Sequence, residues 1–152
     1  MNTQTLIDAI HLAVAAHGDQ LDKGGLPYIL HPLHVMDTVD GIDAKIVAVL
    51  HDVVEDTAAD IGTTRDCIVF QNYTYYFSPA IIEAIDAITK RNGEKKEIYW
   101  ARVKANPLAL QVKLADIAHN TSEARLAVLP LEEANYLRGK YAKALKFFHE
   151  ND

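Results

Sequence analysis

The sequence predicts an all-α fold. Three observations carry that expectation: apolar residues recur at three- and four-residue steps, polar–proline pairs mark helix starts, and strand-like alternation is nearly absent. Leu6, Ile10, Ala13, Val14 and His17 outline a first helix. The stretch GDQLDKGGLPY then interrupts it, and Gly24, Gly25 and Pro27 read as a loop. A short helix is expected from about His31 through Val39. Asp43 reads as the cap of the next, with Ile46, Val47, Leu50, Val53 and Val54 on its inner face. Residues 58–77 are ambiguous, because Tyr73, Tyr75, Tyr76 and Phe77 fit a helix, a packed loop or a partner surface equally well. Ser78 and Pro79 open another helix, with Ile81, Ile82, Ile85 and Ile88 facing inward. Further helices are expected over about 94–105, 107–121 (Asn106 capping, Pro107 first) and 131–149.

A chain of 152 residues is long enough for one domain, 1–152, that buries roughly 70% of its unfolded surface. No linker, repeat or low-complexity stretch divides it. The single cysteine, Cys67, excludes a disulfide framework and suits a reducing compartment, where its expected role is that of a small buried hydrophobe. No basic-plus-apolar leader is visible at MNTQTLIDAI, and no apolar run approaches the roughly 20 residues needed to span a bilayer. A cytoplasmic protein without membrane or nucleic-acid partners is the expectation, since a net charge of −6 offers no attraction for a polyanion. A phosphorylated small molecule stays open, because a metal ion and a local basic cluster override global charge.

The polar interruptions of the apolar segments are the informative residues. In VLHDVVEDT, positions four apart share a helix face, which stacks His51 over Glu55 and Asp52 over Asp56. Asp116 and Asn120 share a face of VKLADIAHN, and His31 stands directly before Pro32. Carboxylates crowded on a buried helix repel one another unless something compensates them. A divalent cation does so. His31, His51, Asp52 and Asp116 form the candidate ligand set; two imidazoles and two carboxylates suit Mn, Fe or Zn better than Mg or Ca. Glu55 and Asp56 remain free to orient water. The competing reading is ordinary packing, since a lone His-Asp pair is common.

Three stretches in this order, AAHGDQLDKGGLPYILHPLHV, LHDVVEDT and VKLADIAHN, resemble the HD-domain hydrolases of the RelA/SpoT type, including stand-alone small alarmone hydrolases. The resemblance runs from about residue 9 to 148. It implies an HD-type helical bundle and a metal, typically Mn2+, that serves removal of the 3′-pyrophosphate from (p)ppGpp. It also implies that His31, His51, Asp52 and Asp116 are the metal ligands, and that Glu55 and Asp56 position and activate the attacking water. Asn120 corresponds to an asparagine of the nucleotide pocket, and Tyr141 to a residue packing against the nucleoside. The stretch after His17 and Gln20 departs from the family: it reads Leu21-Asp22-Lys23 where arginine followed by lysine is usual. The base is therefore left open.

An anionic substrate needs cationic partners. Lys23, Lys90, Arg91, Lys95, Lys96, Arg102 and Lys113 are candidates, and Arg102, inside an aromatic helix beside Tyr99 and Trp100, is the foremost of them, able to clamp phosphate in a bidentate way. Tyr99 and Trp100 are expected in the core rather than against a base. His11, His17, His34, His119 and His149 are expected in hydrogen bonds or on the surface. Two alternatives to alarmone hydrolysis stand: an HD-type nucleotidase or phosphatase acting on another nucleotide, and a nucleotide-binding domain without turnover. The aromatic run 73–77 also offers a face for a homo-oligomer.

Overall fold

Helix α1 (Thr3–His17) ends at Gly18, whose φ of +54° places it in the left-handed region that a β-carbon disfavours. The computed structural model describes residues 3–150. Helices α2 (Leu30–Thr38) and α3 (Ile42–Leu50) follow, then a single turn, α4 (Val53–Asp56). After a small sheet come α5 (Pro79–Ile88), α6 (Lys96–Ala105), α7 (Pro107–Asn120), a second single turn α8 (Glu123–Leu126) and α9 (Leu131–His149). The fold is helical, as the periodicity predicts.

Helix α3 is the central rod. Ala44 and all residues from Ile46 to Leu50 are buried, and α1, α2, α5 and α7 pack around it. From Ile46 onward the helix is apolar all round because no side of it meets water there, while Ile42 and Asp43 of the first turn are exposed. It begins two residues earlier than expected: Gly41, at φ +90°, precedes Ile42, and Asp43 lies in the first turn instead of capping it. Lys45 Nζ reaches the carbonyls of Met36 (3.1 Å) and Val39 (2.9 Å), closing the end of α2 against α3. The Asn106 side chain does cap α7, accepting from the Ala109 N–H at 3.0 Å, and Pro107 and Pro79 occupy first turns. Ser78 precedes Pro79 without a side-chain cap bond.

Residues 60–76 differ from an uninterrupted helical bundle. They form an antiparallel sheet of β1 (Asp60–Ile61), β2 (Cys67–Phe70) and β3 (Tyr73–Tyr76), in that order. Cys67, Ile68 and Phe70 face the core, while Tyr73 and Tyr76 are exposed. Cys67 is buried, and its Sγ lies so close to Gly62 that a β-carbon there would collide with it.

Candidate active site

The central rod stops where the chemistry begins. The His51 N–H turns back to the Ala48 carbonyl, and the His51 ring does the same through Nδ1 at 2.6 Å. Asp52 then precedes α4, with its carbonyl accepting from the Asp56 N–H at 2.9 Å. The expectation of one continuous helix through HDVVED is corrected here: only the Asp52–Asp56 relation is helical, and His51 and Asp52 lie on a junction. That junction lets both side chains turn toward α2 and α7.

Four donor atoms meet there. His31 Nε2 lies 2.9 Å from Asp116 Oδ1 and 3.8 Å from Asp52 Oδ2. His51 Nε2 lies 3.0 Å from Asp52 Oδ2 and 3.4 Å from Asp116 Oδ1. Ligands about 2.1 Å from a common ion stand roughly 3.0–3.4 Å apart in octahedral or tetrahedral arrangements; three of these four separations lie close to that range and the His31–Asp52 one is longer, while the ligand atoms of His31, His51 and Asp52 all lie within 4.8 Å of one another. His31, His51 and Asp116 are buried, and His51 Nε2 has no hydrogen-bond partner. A buried orphan nitrogen aimed at two carboxylates is costly without an ion or a proton. The ring orientation agrees: Nδ1–H donates to the Ala48 carbonyl, so Nε2 is the ring nitrogen that faces the carboxylates and would bind an ion.

Charge accounts for how the cluster holds together. Burial opposes a charge on His51, but Asp52 and Asp116 outweigh it and hold the imidazolium well above its ordinary pKa. Burial would raise Asp52, yet His51 holds that carboxyl down to about 2. Lys113, 2.9 Å from Asp116 Oδ2, and the two histidines likewise keep Asp116 well below its usual range against burial. Burial lowers His31, which favours the neutral ring a metal requires. The Tyr28 hydroxyl donates to Asp52 Oδ2, and Asn120 Nδ2 donates to Asp116 Oδ1 at 2.8 Å and to the Tyr141 hydroxyl at 3.3 Å.

The acidic pair stands beside this cluster. Asp52, Glu55 and Asp56 have carboxylate oxygens within 4.8 Å of one another. Glu55 Oε1 accepts the Lys90 N–H at 2.6 Å, which fixes it. Burial first, then the charges of Asp52 and Glu55, push Asp56 up to about 6. Burial and Asp52 also raise Glu55, with the Lys90 N–H opposing them.

Asp52, Glu55, Asp56 and Asp116 line a cavity of about 600 Å3, together with Lys23, Lys113, Asn120 and Tyr141. Arg102 is not brought there. Its guanidinium binds the carbonyls of Ala87 (3.2 Å) and Thr89 (3.0 Å) and the Glu94 carboxylate, so it ties the 87–94 segment to α6. Tyr99 is buried, with its hydroxyl on the Ile88 carbonyl, while Trp100 packs on Phe147 and Phe148; both also reach the cavity wall. Tyr28, Arg125 and Lys140 line the cavity without a role expected from the sequence. Tyr28 sits three positions before His31, a spacing that points to a shared helical turn. Arg125 lies on α8, whose single turn leaves no periodic pattern; its Nη1 is 2.7 Å from His31 Nδ1 and donates to Asn120 Oδ1 at 3.0 Å. Lys140 is masked by the charged face of α9. His34 and His119 stack at 3.8 Å, and His17 Nδ1 meets Gln20 Oε1 at 2.9 Å.

No family model matches the chain. It is 31% identical over 124 residues to guanosine-3′,5′-bis(diphosphate) 3′-pyrophosphohydrolase of Aquifex aeolicus, covering 74% of this chain and 16% of that protein. It is 31% identical over 129 residues to the bifunctional (p)ppGpp synthase/hydrolase RelA of Mycobacterium tuberculosis, covering 82% and 17%. A solved structure described as "A metazoan ortholog of SpoT hydrolyzes ppGpp and plays a role in starvation responses" superposes with a TM-score of 0.76 at 19% identity, covering 100% of this chain and 89% of that one. The chain has the RelA/SpoT-type HD fold. In this HD fold the cluster of His31, His51, Asp52 and Asp116 is drawn from α2, the α3–α4 junction and α7. The chain spans 16% to 17% of the length of these two curated relatives. Among the described residues no helix is long and apolar enough to cross a membrane.

Proposed function

We propose that the chain, acting as one catalytic unit, is a metal-dependent phosphohydrolase that removes the 3′-pyrophosphate from a (p)ppGpp-like alarmone. The observation that carries this reading is the meeting of two buried imidazole nitrogens with two aspartates that line the cavity, one nitrogen being left without a hydrogen-bond partner. His31, His51, Asp52 and Asp116 would hold the ion, Mn2+ in the first instance. When bound, such an ion supplies an acidified water and a polarised phosphoryl oxygen.

The chain's own groups do the rest. Asp56, pushed up to about 6, is matched to take a proton from water near neutral pH, and Glu55, pinned by the Lys90 N–H, holds the water's orientation. Tyr28 and Lys113 fix the two aspartates by donating to them. Asn120 and Tyr141 border the nucleoside, and Lys23 and Lys113 neutralise phosphate. A cytoplasmic location, without nucleic-acid or membrane partners, belongs to the same reading. So does self-association through the exposed tyrosines of β3, which a monomeric mass in solution would dismiss.

Incubation with Mn2+ and a panel of nucleotides tests the function. Pyrophosphate released from a 3′-diphosphorylated nucleotide is the expected product, and His51→Ala and Asp52→Ala should abolish it. Inorganic phosphate from a monophosphate would instead favour a nucleotidase. Tight binding without product at saturating metal would favour a binding domain. Full activity in Asp52→Ala would end the assignment.

A further inference from the structure

The end of α5 is held by α6. A helix leaves its last carbonyls without intrahelical partners, and α6 takes three of them in succession. Arg102 Nε donates to the Ala87 carbonyl at 3.2 Å, the Tyr99 hydroxyl to that of Ile88 at 2.8 Å, and Arg102 Nη2 to that of Thr89 at 3.0 Å. Tyr99 and Arg102 stand three apart on α6, which puts both on one face of the helix. The Glu94 carboxylate accepts from both terminal nitrogens of Arg102 and from the Arg91 N–H at 3.0 Å, so the segment from Thr89 to Glu94 closes on the same guanidinium.

The last of these carbonyls reaches the acidic pair through its own peptide. The Thr89 C=O and the Lys90 N–H are the two ends of one planar group, pointing in opposite directions. Arg102 grips the oxygen, and the N–H donates to Glu55 Oε1 at 2.6 Å. Neither end makes a backbone–backbone hydrogen bond. The chain has already left the helix there, with Thr89 extended at φ −83° and ψ +113°. Glu55 is exposed on the single turn α4, and among the described residues its side chain makes no other hydrogen bond. The direction of that carboxylate depends on the tilt of one peptide plane, and the tilt depends on Arg102. Charge adds to the geometry, because a cation on the carbonyl polarises the peptide and makes its N–H a stronger donor.

We infer that Arg102 is a positioning residue for hydrolysis, acting through the Thr89–Lys90 peptide to fix the Glu55 carboxylate. The inference rests on the hydrolase reading and deepens it, since it gives a consequence for turnover to a residue that is off the cavity wall. Two features separate this relay from a plain staple between α5 and α6. Its effect passes through a single N–H, so it vanishes once Glu55 is gone. It also leaves the ion and the substrate contacts alone, so it falls on kcat and spares KM and Mn2+ binding.

Two measurements test this independently. In the first, Arg102→Met should lower kcat about tenfold or more with KM within about twofold and the Mn2+-dependent rise in Tm preserved, because a small misplacement of a group beside the reacting water is costly. Glu94→Gln, which loosens the guanidinium without deleting it, should lower kcat to a smaller extent. In a Glu55→Ala background Arg102→Met should change kcat by less than about twofold. Losses that multiply in the double variant, or a wild-type kcat in Arg102→Met, overturn the relay while leaving hydrolysis intact. The second measurement needs neither metal nor substrate: amide hydrogen exchange of the metal-free protein, followed by NMR. The Lys90 N–H should exchange about tenfold or more faster in both Glu55→Ala and Arg102→Met, as expected for the loss of one charge-assisted bond. The Thr89 N–H, bonded to the Ile85 carbonyl at 3.1 Å, should keep its protection. An unmoved Lys90 N–H in Arg102→Met, or equal loss at Thr89 and Lys90, overturns the relay even where the wild type yields no product, an outcome that by itself would refute the hydrolase reading.

Discussion

Asp116→Asn removes one charge from the cluster while keeping its shape, and the structure sets the size of the effect. Asp116 Oδ1 accepts from His31 Nε2 at 2.9 Å and from Asn120 at 2.8 Å, and Oδ2 accepts from Lys113 Nζ at 2.9 Å. The Lys113 side chain is only 16% exposed, so the substitution leaves a largely buried ammonium facing an amide. Stranding such a charge costs about 3–5 kcal/mol, and relief of repulsion between Asp52 and Asp116 returns part of it. A net loss of about 2–4 kcal/mol follows, which for a chain of this size lowers Tm by about 5–12 °C in the metal-free protein. Metal sharpens the contrast. An ion at a hundred times its Kd stabilises the wild type by about 2.7 kcal/mol, or about 5–10 °C. The variant, short of one ligand, should show less than about 2 °C of that rise. Differential scanning calorimetry of stripped protein titrated with Mn2+ measures both numbers. An unchanged Tm together with a full Mn2+-dependent rise would refute a shared site built on Asp116.

Glu55→Gln and Asp56→Asn should each lower kcat about 100-fold or more while the Mn2+-dependent rise in Tm persists, since neither holds the ion. Asp56 is raised to about 6, so its proton-accepting form disappears as pH falls through that value and the rate should fall with it. In metal-free protein followed by carboxyl NMR, Glu55→Gln removes a negative neighbour and should move the Asp56 titration to lower pH; an upward movement would contradict the assigned cause. Tyr28→Phe deletes the donor to Asp52 and should weaken Mn2+ about 10–100-fold in a competition titration, whereas unchanged affinity would make the contact incidental. Arg102→Met should lower Tm by about 2–6 °C through its lost carbonyl and Glu94 bonds with KM within about twofold. A tenfold KM rise without loss of stability would return Arg102 to the substrate site.

Local signals carried most of the helices. Asn106-Pro107 and Ser78-Pro79 announce α7 and α5 because proline tolerates only a first-turn position, and the isoleucines of α5 keep a strict inner face. The strands were illegible for an equally physical reason. Cys67–Phe70 is apolar at all four positions with three of them buried, too short to distinguish from a buried helical turn, and its pairing with Tyr73–Tyr76 depends on a turn without glycine, where Gln71 takes φ +54°. His31, His51, Asp52 and Asp116 stand out because buried helices have little use for such groups. Their mutual distances depend on how α2, α3 and α7 pack, which spacing does not encode. Arg102 misled because its aromatic neighbours suggest a pocket, while its partners are backbone carbonyls that no sequence pattern reveals. Arg125 went unnoticed for the opposite reason, as a common surface residue type that tertiary folding turns inward.

The ligand set draws together positions as far as 85 residues apart, His31 and Asp116. An ion gripped there would behave as a removable cross-link: it would tether the second helix to the seventh through the end of the third and restrict the unfolded chain much as a covalent bridge does. A cell that starves this protein of metal would then lose abundance as well as catalysis, because the untethered chain opens more often to proteases.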